Sequence, residues 1–313
     1  MMKRICQALL ITLKNQRGVT KIIVALSIVV LLGFTALVVD VGAMYFEKSQ
    51  LQKALDAAVL GGAQHLVVSQ VKAGETAKDI ASKNGFSITD GELKTDAEAI
   101  EIEKTVKKEM TFARILGIND ADISAIARAE LVQALVSRDG IVPVGLEKDK
   151  YEFDKGKEFS LNLDNANKKN GNHGFLSLDG RGEISWENAV KNGSKSVFSV
   201  SDLIYPEPGN LGKNVIEAFQ YRIDLDKNDP GKSHCSEFQT ADNSCKRVII
   251  VPLVTEFPNG RSEKVEILDF AVFWIKGFEG KNTVKGVFID YVTRGTFEER
   301  DTDSNIYGVK LVK

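Results

Sequence analysis

The feature that most constrains this chain is an uncharged apolar run, IIVALSIVVLLGFTALVV, from Ile22 to Val39. Its 18 residues include only Ser27 and Thr35 as polar side chains, and both can bond back to a helix carbonyl. As an α-helix rising about 1.5 Å per residue, the run reaches about 27 Å, close to one bilayer hydrocarbon core. A helix packed in a soluble core rarely stays apolar around its whole circumference over such a length. The expectation is a transmembrane helix over residues 22–41.

Charge orients it. Residues 1–21 contain five cations, Lys3, Arg4, Lys14, Arg17 and Lys21, and no acid. Asp40 is the first carboxylate, and beyond it the balance is acidic. The whole chain is nearly neutral, with 41 Lys and Arg against 43 Asp and Glu, which argues against a nucleic-acid binder. Cations beside a span stay in the cytoplasm. This predicts a single-pass protein of the cell membrane, with residues 1–21 as a basic cytoplasmic segment and the bulk outside from about residue 42. Arg17, Lys21 and Asp40 then mark the two membrane boundaries. A signal peptide cleaved near Val41-Gly42-Ala43 is the rival reading. The run exceeds the usual signal core of about 7–15 residues, and the sequence after it continues as helix, so a retained anchor is preferred. Asp40 either meets water at the interface or makes a polar contact with a neighbouring membrane helix. The first is preferred, because depth sets the cost of a charge.

Residues 43–70 read as a continuing helix, with Leu51, Leu55, Ala58 and Gly62 at helical spacing. One stretch is small-sided: Ala54, Ala57, Ala58, Gly61 and Gly62. The pairs Ala57/Gly61 and Ala58/Gly62 lie one turn apart and let another backbone approach closely. That backbone belongs either to the protein's own fold or to a partner helix; the spacing serves both.

Several of these residues fall into a recognisable order. Arg17-Gly18, the apolar run, Asp40-Val41-Gly42, Tyr45, then Leu51-Gln52, Ala54 and Asp56-Ala57-Ala58 with Gly61-Gly62-Ala63 resemble the N-terminal module of TadE/TadG-like proteins of the tight adherence (Flp) pilus system. Thr111 to Ile118 is similar to the family's middle region, and Glu207-Pro208-Gly209-Asn210 and the stretch from Cys235 to Pro252 are similar to the C-terminal half of Gram-positive members. The resemblance implies a membrane-anchored assembly component whose partners are pilus assembly or secretion proteins, or pilin subunits. Two departures refine it. The Asp-x-Ser-x-Ser metal pentad of longer members is absent, the nearest string being Asp120-Ala121-Asp122-Ile123-Ser124. Ile23 stands where a processed prepilin has Glu, which fits a retained anchor.

Further along, Glu75–Lys83 reads as helix ended by Asn84-Gly85. Phe86–Leu93, Ala99–Val106 and Ala121–Val132 read as strands, and Lys108–Leu116 as a short helix stopped by Gly117. After Gly140, Asp179-Gly180, Asn192-Gly193 and Asn259-Gly260 punctuate β-type runs. The clearest are Arg247–Phe257, Lys264–Ile275 and Val284–Val292, the first two joined by a hairpin signal at Pro258-Asn259-Gly260. Pro252 marks an edge or a bulge. The expected fold is α+β: a transmembrane helix extending into a pilin-like helix with a small antiparallel sheet over 42–140, then a mostly antiparallel β domain over 141–313.

The residues weighed for chemistry point away from catalysis. Cys235 and Cys245 lie ten apart on the predicted outer side, where thiols oxidise, so a disulfide is expected. Free thiols, or a metal pair with His234, are the alternatives, and Cys6 is a reduced bystander. Asp224/Asp226/Asn228 and Asp301/Asp303/Asn305 start like calcium loops but lack the Gly and the Glu those loops need, so they read as surface turns. The Gly-x-Ser-x-Gly, His-Glu-x-x-His and P-loop motifs do not occur, and the three histidines, His65, His173 and His234, are isolated. No cofactor or metal is expected. The leading reading is a non-enzymatic assembly component; the alternative is a tethered extracytoplasmic module that binds polysaccharide or senses a ligand.

Overall fold

The computed structural model describes residues 16–150, 155–162, 172–180, 183–208, 214–258, 263–280, 283–298 and 304–312. In chain order the main elements are helix α1 (Gln16–Ala63), helix α2 (Gln70–Lys83), and strands β1 (Leu93–Thr95), β2 (Ala99–Glu109) and β3 (Asp120–Gln133). There follow β4 (Glu158–Asn162), helix α3 (Glu183–Asn192) and helix α4 (Asn214–Lys227). The last are β5 (Val248–Val254), β6 (Val265–Glu279), β7 (Thr283–Phe288) and β8 (Ile306–Val312). The fold is mixed α+β, a long apolar N-terminal helix followed by mostly antiparallel sheet.

α1 is one unbroken helix of 48 residues with two different surroundings. Its first half carries the apolar run, exposed nearly throughout, and Thr35 Oγ1 donates to the carbonyl of Leu31 at 2.8 Å. Its most apolar stretch has a mean hydropathy of 3.0, and it is the one described helix long and apolar enough to cross a membrane. From Leu51 the same helix becomes amphipathic. Leu51, Leu55, Ala58, Val59 and Ala63 are fully buried. They pack with Ala73, Ala77 and Ala81 of α2 and with Ile100, Ile102, Ile123, Ala125, Ala127 and Ala129 of the first sheet.

α2 shows why short-range chemistry sets its bounds. Ser69 Oγ accepts from the Lys72 N–H at 3.3 Å at its start. At its end Gly85 takes φ +91°, and the N–H groups of Gly85 and Phe86 reach back to Ser82 and Ala81 at 2.9 and 3.0 Å, a Schellman closure.

The first sheet runs β1-β2-β3-β8, with Tyr291–Val292 parallel at its far edge and the other pairings antiparallel. Alternation along β2 turns Ile100 and Ile102 inward against Ala129 and Ala127 of β3. Three expectations change here. β2 runs on to Glu109, where a helix was expected from Lys108; only Ala113–Leu116 coil, as a 3-10 turn ended by Gly117 at φ +85°. The cross-strand partners of Lys107 and Lys108, Asp122 and Ala121, hold that segment extended. Phe86–Leu93 is not a strand. Thr89 and Glu92 form a capping box that turns Asp90–Glu92 into a 3-10 helix and leaves only β1. Finally, β8 pairs with β3 over Tyr307–Val312, so the end of the expected 141–313 unit lies within the first sheet.

The second sheet runs Leu146–Glu147, β5, β6, β7, β4, with Leu203–Ile204 paired to the start of β6. Every residue of β5 is buried, so its run VIIVPLV reads as continuously apolar rather than alternating. One face, with Ile249, Val251, Phe273 and Ile275, is covered by Trp186 and Val190 of α3 and Phe219 and Ile223 of α4. The other, with Ile250, Phe270, Val272 and Trp274, packs on Leu135, Ile141, Leu176 and both cysteines. Pro252 stands beside a register shift at Leu253/Val254, and β5 and β6 pair antiparallel. Their connecting Asn259-Gly260 lies outside the described residues. Neither α3 nor α4 was expected: Asn192-Gly193 closes α3, where Gly193 at φ +82° donates to Ala189 at 2.8 Å, rather than separating strands.

Candidate functional site

Where α1 leaves its apolar half and meets the first sheet, the β2–β3 hairpin runs alongside it. Polar side chains of α1 take up the contacts in order. Lys48 Nζ donates to the carbonyl of Ser124, and Gln52 Nε2 donates to Ile126 O at 2.9 Å and to Asp56 Oδ1 at 2.8 Å. Glu47 pairs with Lys108 at 2.9 Å. Highest of all, Asp40 clasps the hairpin tip. Its Oδ1 accepts from the Thr111 N–H at 2.9 Å, and its Oδ2 accepts from those of Phe112 at 2.9 Å and Ala113 at 2.6 Å. Asp40 is only 4% exposed. It therefore faces neither water nor a neighbouring helix, the two readings its sequence position suggested. Three converging backbone N–H groups make a fixed anion cradle, and the carboxylate fills it. Lys21 is exposed, and the Arg17 and His173 side chains, like Cys6 and Asp301–Asp303, lie outside the described residues.

The small-sided residues do not share one contact. Ala54 and Ala58 are buried and Ala57 is exposed. Gly62 faces α2 and the sheet, and a Cβ there would sit 2.8 Å from Ala73 O, 2.9 Å from Ile100 Cδ1 and 3.0 Å from Ala77 Cβ. A Cβ on Gly61 would meet Ile80 Cδ1. The close backbone approach at Gly62 is thus made by the chain's own α2.

Cys235 and Cys245 form a disulfide with Cα atoms 5.5 Å apart, buried under Trp274, whose Nε1 donates to Cys235 O at 3.0 Å. The His234 ring lies within 4.8 Å of both sulfurs, but these are spent in the bond and offer no thiolate to a metal. Beside them Asp242 accepts from the Ser244 N–H at 3.0 Å and hydroxyl at 2.7 Å, and faces His234 Nε2 at 3.3 Å. Burial pushes its carboxyl up, but the Ser244 bonds and His234 outweigh that and hold it below the usual range. Asp224 and Asp226 lie on the last turns of α4, not in a surface turn. Asp226 is buried and accepts from the N–H groups of Lys246 and Arg247, each at 2.8 Å. Next to it burial brings the Arg222 guanidinium down to about 10, while Asp226 and Tyr291 oppose the shift.

At the junction of the two sheets Gln64 meets Asn243 at 3.1 Å, and His65 sits half-buried beside them. Burial, then Lys72, lower the His65 pKa, with Asp242 opposing. Sequence reasoning missed the Asp40 cradle and the α4 charges. The α4 signal was present in Ile216, Phe219 and Ile223, spaced at three and four residues.

The helix that carries the apolar run, the Asp40 clasp and the small residues is also where a known family enters. Residues 18–65 match the Tad model, Flp pilus-assembly TadE/G-like. The match begins two residues inside α1 and ends two residues beyond it, so the TadE/G-like segment is this one helix. No curated protein and no solved structure matches the chain.

Proposed function

We propose that the chain is a membrane-anchored, non-enzymatic component of tight adherence pilus assembly. Its basic N-terminus is cytoplasmic and its bulk lies outside the cell membrane. The observation that carries the reading is a coincidence within one helix. The TadE/G-like match over residues 18–65 takes in both the exposed apolar run and the packed half of α1. Five cations before the run and acids only from Asp40 onward support the orientation. A disulfide packed against the second sheet suits an oxidising exterior. In this reading residues 1–21 are cytoplasmic, 22–41 span, 42–140 form the membrane-proximal unit together with Tyr291–Val292 and β8, and the rest of 141–305 forms an outer unit. Partners are assembly or secretion proteins or pilin subunits. The exposed side of α1 around Ala57 is the surface left to them.

The test has two arms. Protease added to intact protoplasts should digest the chain beyond residue 42; full protection would overturn the orientation. A photo-cross-linker at Ala57 in cells should capture a pilin or a pilus-assembly protein. Capture of none, with pili still assembled after deletion of the gene, would overturn the assembly role and favour the tethered ligand-binding module.

A further inference from the structure

The β2–β3 hairpin tip presents a combination that a water-facing turn does not need. Its residues 111–118 read TFARILGI, with one charge. Ile115 is 86% exposed, Ile118 53% and Phe112 40%. Meanwhile the backbone of the tip is closed on itself. The N–H groups of Thr111, Phe112 and Ala113 are taken by Asp40. Those of Ile115, Gly117 and Ile118 reach Phe112 O, Arg114 O and Ala113 O at 3.1, 3.0 and 3.1 Å. In water, spare N–H groups cost little. In a low-dielectric layer each must find a partner within the protein. Six of the eight N–H groups of residues 111–118 thus have a protein acceptor, and the turn presents apolar side chains outward.

Its height is set by Asp40, the residue that follows the apolar run at Val39. The hairpin rises beside α1 through Gln52–Ile126, Lys48–Ser124 and Glu47–Lys108 to the Asp40 clasp, so the tip ends level with the end of the run. On α1, Val41 beside that level and Tyr45 and Phe46 one to two turns beyond it are exposed as well. Apart from Arg114, charges flank the tip instead of entering it. Glu109 pairs with its one cation, Arg114, at 2.7 Å, and Asp120 lies within 3.9 Å of Lys107. An arginine at that position can extend its charged end to lipid phosphates while its stem stays apolar. Aromatic and amphipathic side chains at this depth match the interfacial belt of membrane proteins.

We propose that the β2–β3 tip is a second, interfacial membrane contact, in which Phe112, Ile115 and Ile118 enter the headgroup–acyl boundary beside α1 and Asp40 holds the turn in its membrane-ready form. The proposal rests on the anchoring of α1. It makes the junction of span and ectodomain two-point, so that the first sheet keeps one orientation on the bilayer rather than pivoting about a single helix.

The test uses the full chain with Cys6 replaced by Ser, reconstituted in phosphatidylcholine–phosphatidylglycerol vesicles. An environment-sensitive fluorophore is attached to single cysteines at Ile115, at Leu31 in the apolar run, and at the exposed Lys195. Quenching by lipids spin-labelled near the headgroup or deep in the chain reads depth. The expected result is an Ile115 probe quenched at least twofold more by the shallow label than by the deep one, a Leu31 probe with the opposite order, and an unquenched Lys195 probe. An unquenched Ile115 probe beside a quenched Leu31 probe overturns the proposal and leaves the anchor standing. If that Ile115 probe is blue-shifted yet unquenched, the tip is covered by protein and the lipid contact is refuted. An unquenched Leu31 probe overturns the anchor and this proposal with it. Because Ile115 is so exposed, the substitution disturbs no packing that would confuse these outcomes.

Discussion

Replacing Gly62 by Ala adds one methyl group at the closest approach of α1 to α2, and the neighbouring Gly61 supplies the control. The new carbon of Gly62→Ala would lie 2.8 Å from the carbonyl oxygen of Ala73, 2.9 Å from Ile100 Cδ1 and 3.0 Å from Ala77 Cβ. Ordinary contacts between such atoms are about 3.5–4.0 Å, so the two helices must part by several tenths of an ångström. Overpacking of this kind costs about 1–3 kcal/mol. Exchanging Gly for Ala inside a helix returns about 0.8–1.0 kcal/mol. Because the obstructing oxygen belongs to the α2 backbone, the upper part of the range applies, and the net loss is about 1–2 kcal/mol. At Gly61 the nearest atom is the tip of the half-buried Ile80 side chain, which can rotate aside. A strained rotamer costs about 0.5–1.5 kcal/mol, which the same helix gain nearly offsets.

Thermal unfolding of the full chain in detergent, followed by far-ultraviolet circular dichroism, reads the difference. A loss of this size lowers the melting temperature by about 2–8 °C for a fold of this length, whereas Gly61→Ala should stay within about 2 °C of the parent. Hydrogen exchange in α2 should accelerate in the first variant alone. Equal melting temperatures for the two variants would refute the reasoning. If Gly62→Ala kept its stability yet lost a partner cross-link, the contact would be intermolecular.

Replacing both Cys235 and Cys245 by Ala opens a ten-residue separation and should cost about 3 kcal/mol, seen as a lower melting temperature that reductant no longer changes. Free thiols in the unreduced parent protein would contradict it. Asp40→Ala should release the hairpin tip, with faster hydrogen exchange at the amides of Thr111, Phe112 and Ala113 and little change in α2; protection unchanged at all three would remove Asp40 from its role. The Asp242 carboxyl is held below its unfolded value of about 3.9, so its stabilisation is present above that pH and is lost as pH falls through the folded value. Acid unfolding of Asp242→Asn should therefore be flatter below about pH 4 than that of the parent, and parallel curves would show that the carboxylate contributes nothing.

What could be read in advance divides by the distance over which the cause acts. That residues beyond the apolar run continue as helix, and that α2 stops at Asn84-Gly85, depend on periodicity and on φ at one residue, and the sequence displays both; the end of α1 at Ala63, short of the expected residue 70, was not legible. β5 and β6 were visible for a similar reason: a run buried on both faces stays apolar without a break. By contrast, β8 joins β3 across more than 170 residues, and nothing in IYGVKLV says which sheet it will complete. α3 was hidden because Asn192-Gly193 is equally good chemistry for a hairpin and for a helix end. Asp40 is legible as the carboxylate that ends the apolar run, but its partners are not. Its three donors lie 71 to 73 residues away, and a carboxylate at the end of an apolar run looks the same whether it meets water or a backbone cradle.

The hairpin tip shows a deeper limit. Phe112, Ile115, Leu116 and Ile118 cluster around the end of the helix expected over Lys108–Leu116, and such a cluster would ordinarily be assigned to a buried side. That inference assumes that water is the solvent on every exposed face, so that apolar periodicity always points toward a core. In the membrane placement proposed above, the assumption fails at the end of the span. A side chain there can be 86% exposed, as Ile115 is, and still leave water. The proposed lipid contact separates burial within the protein from burial away from water at the level of the tip. Telling them apart requires the height that Asp40 imposes on the tip, which only the three-dimensional structure supplies.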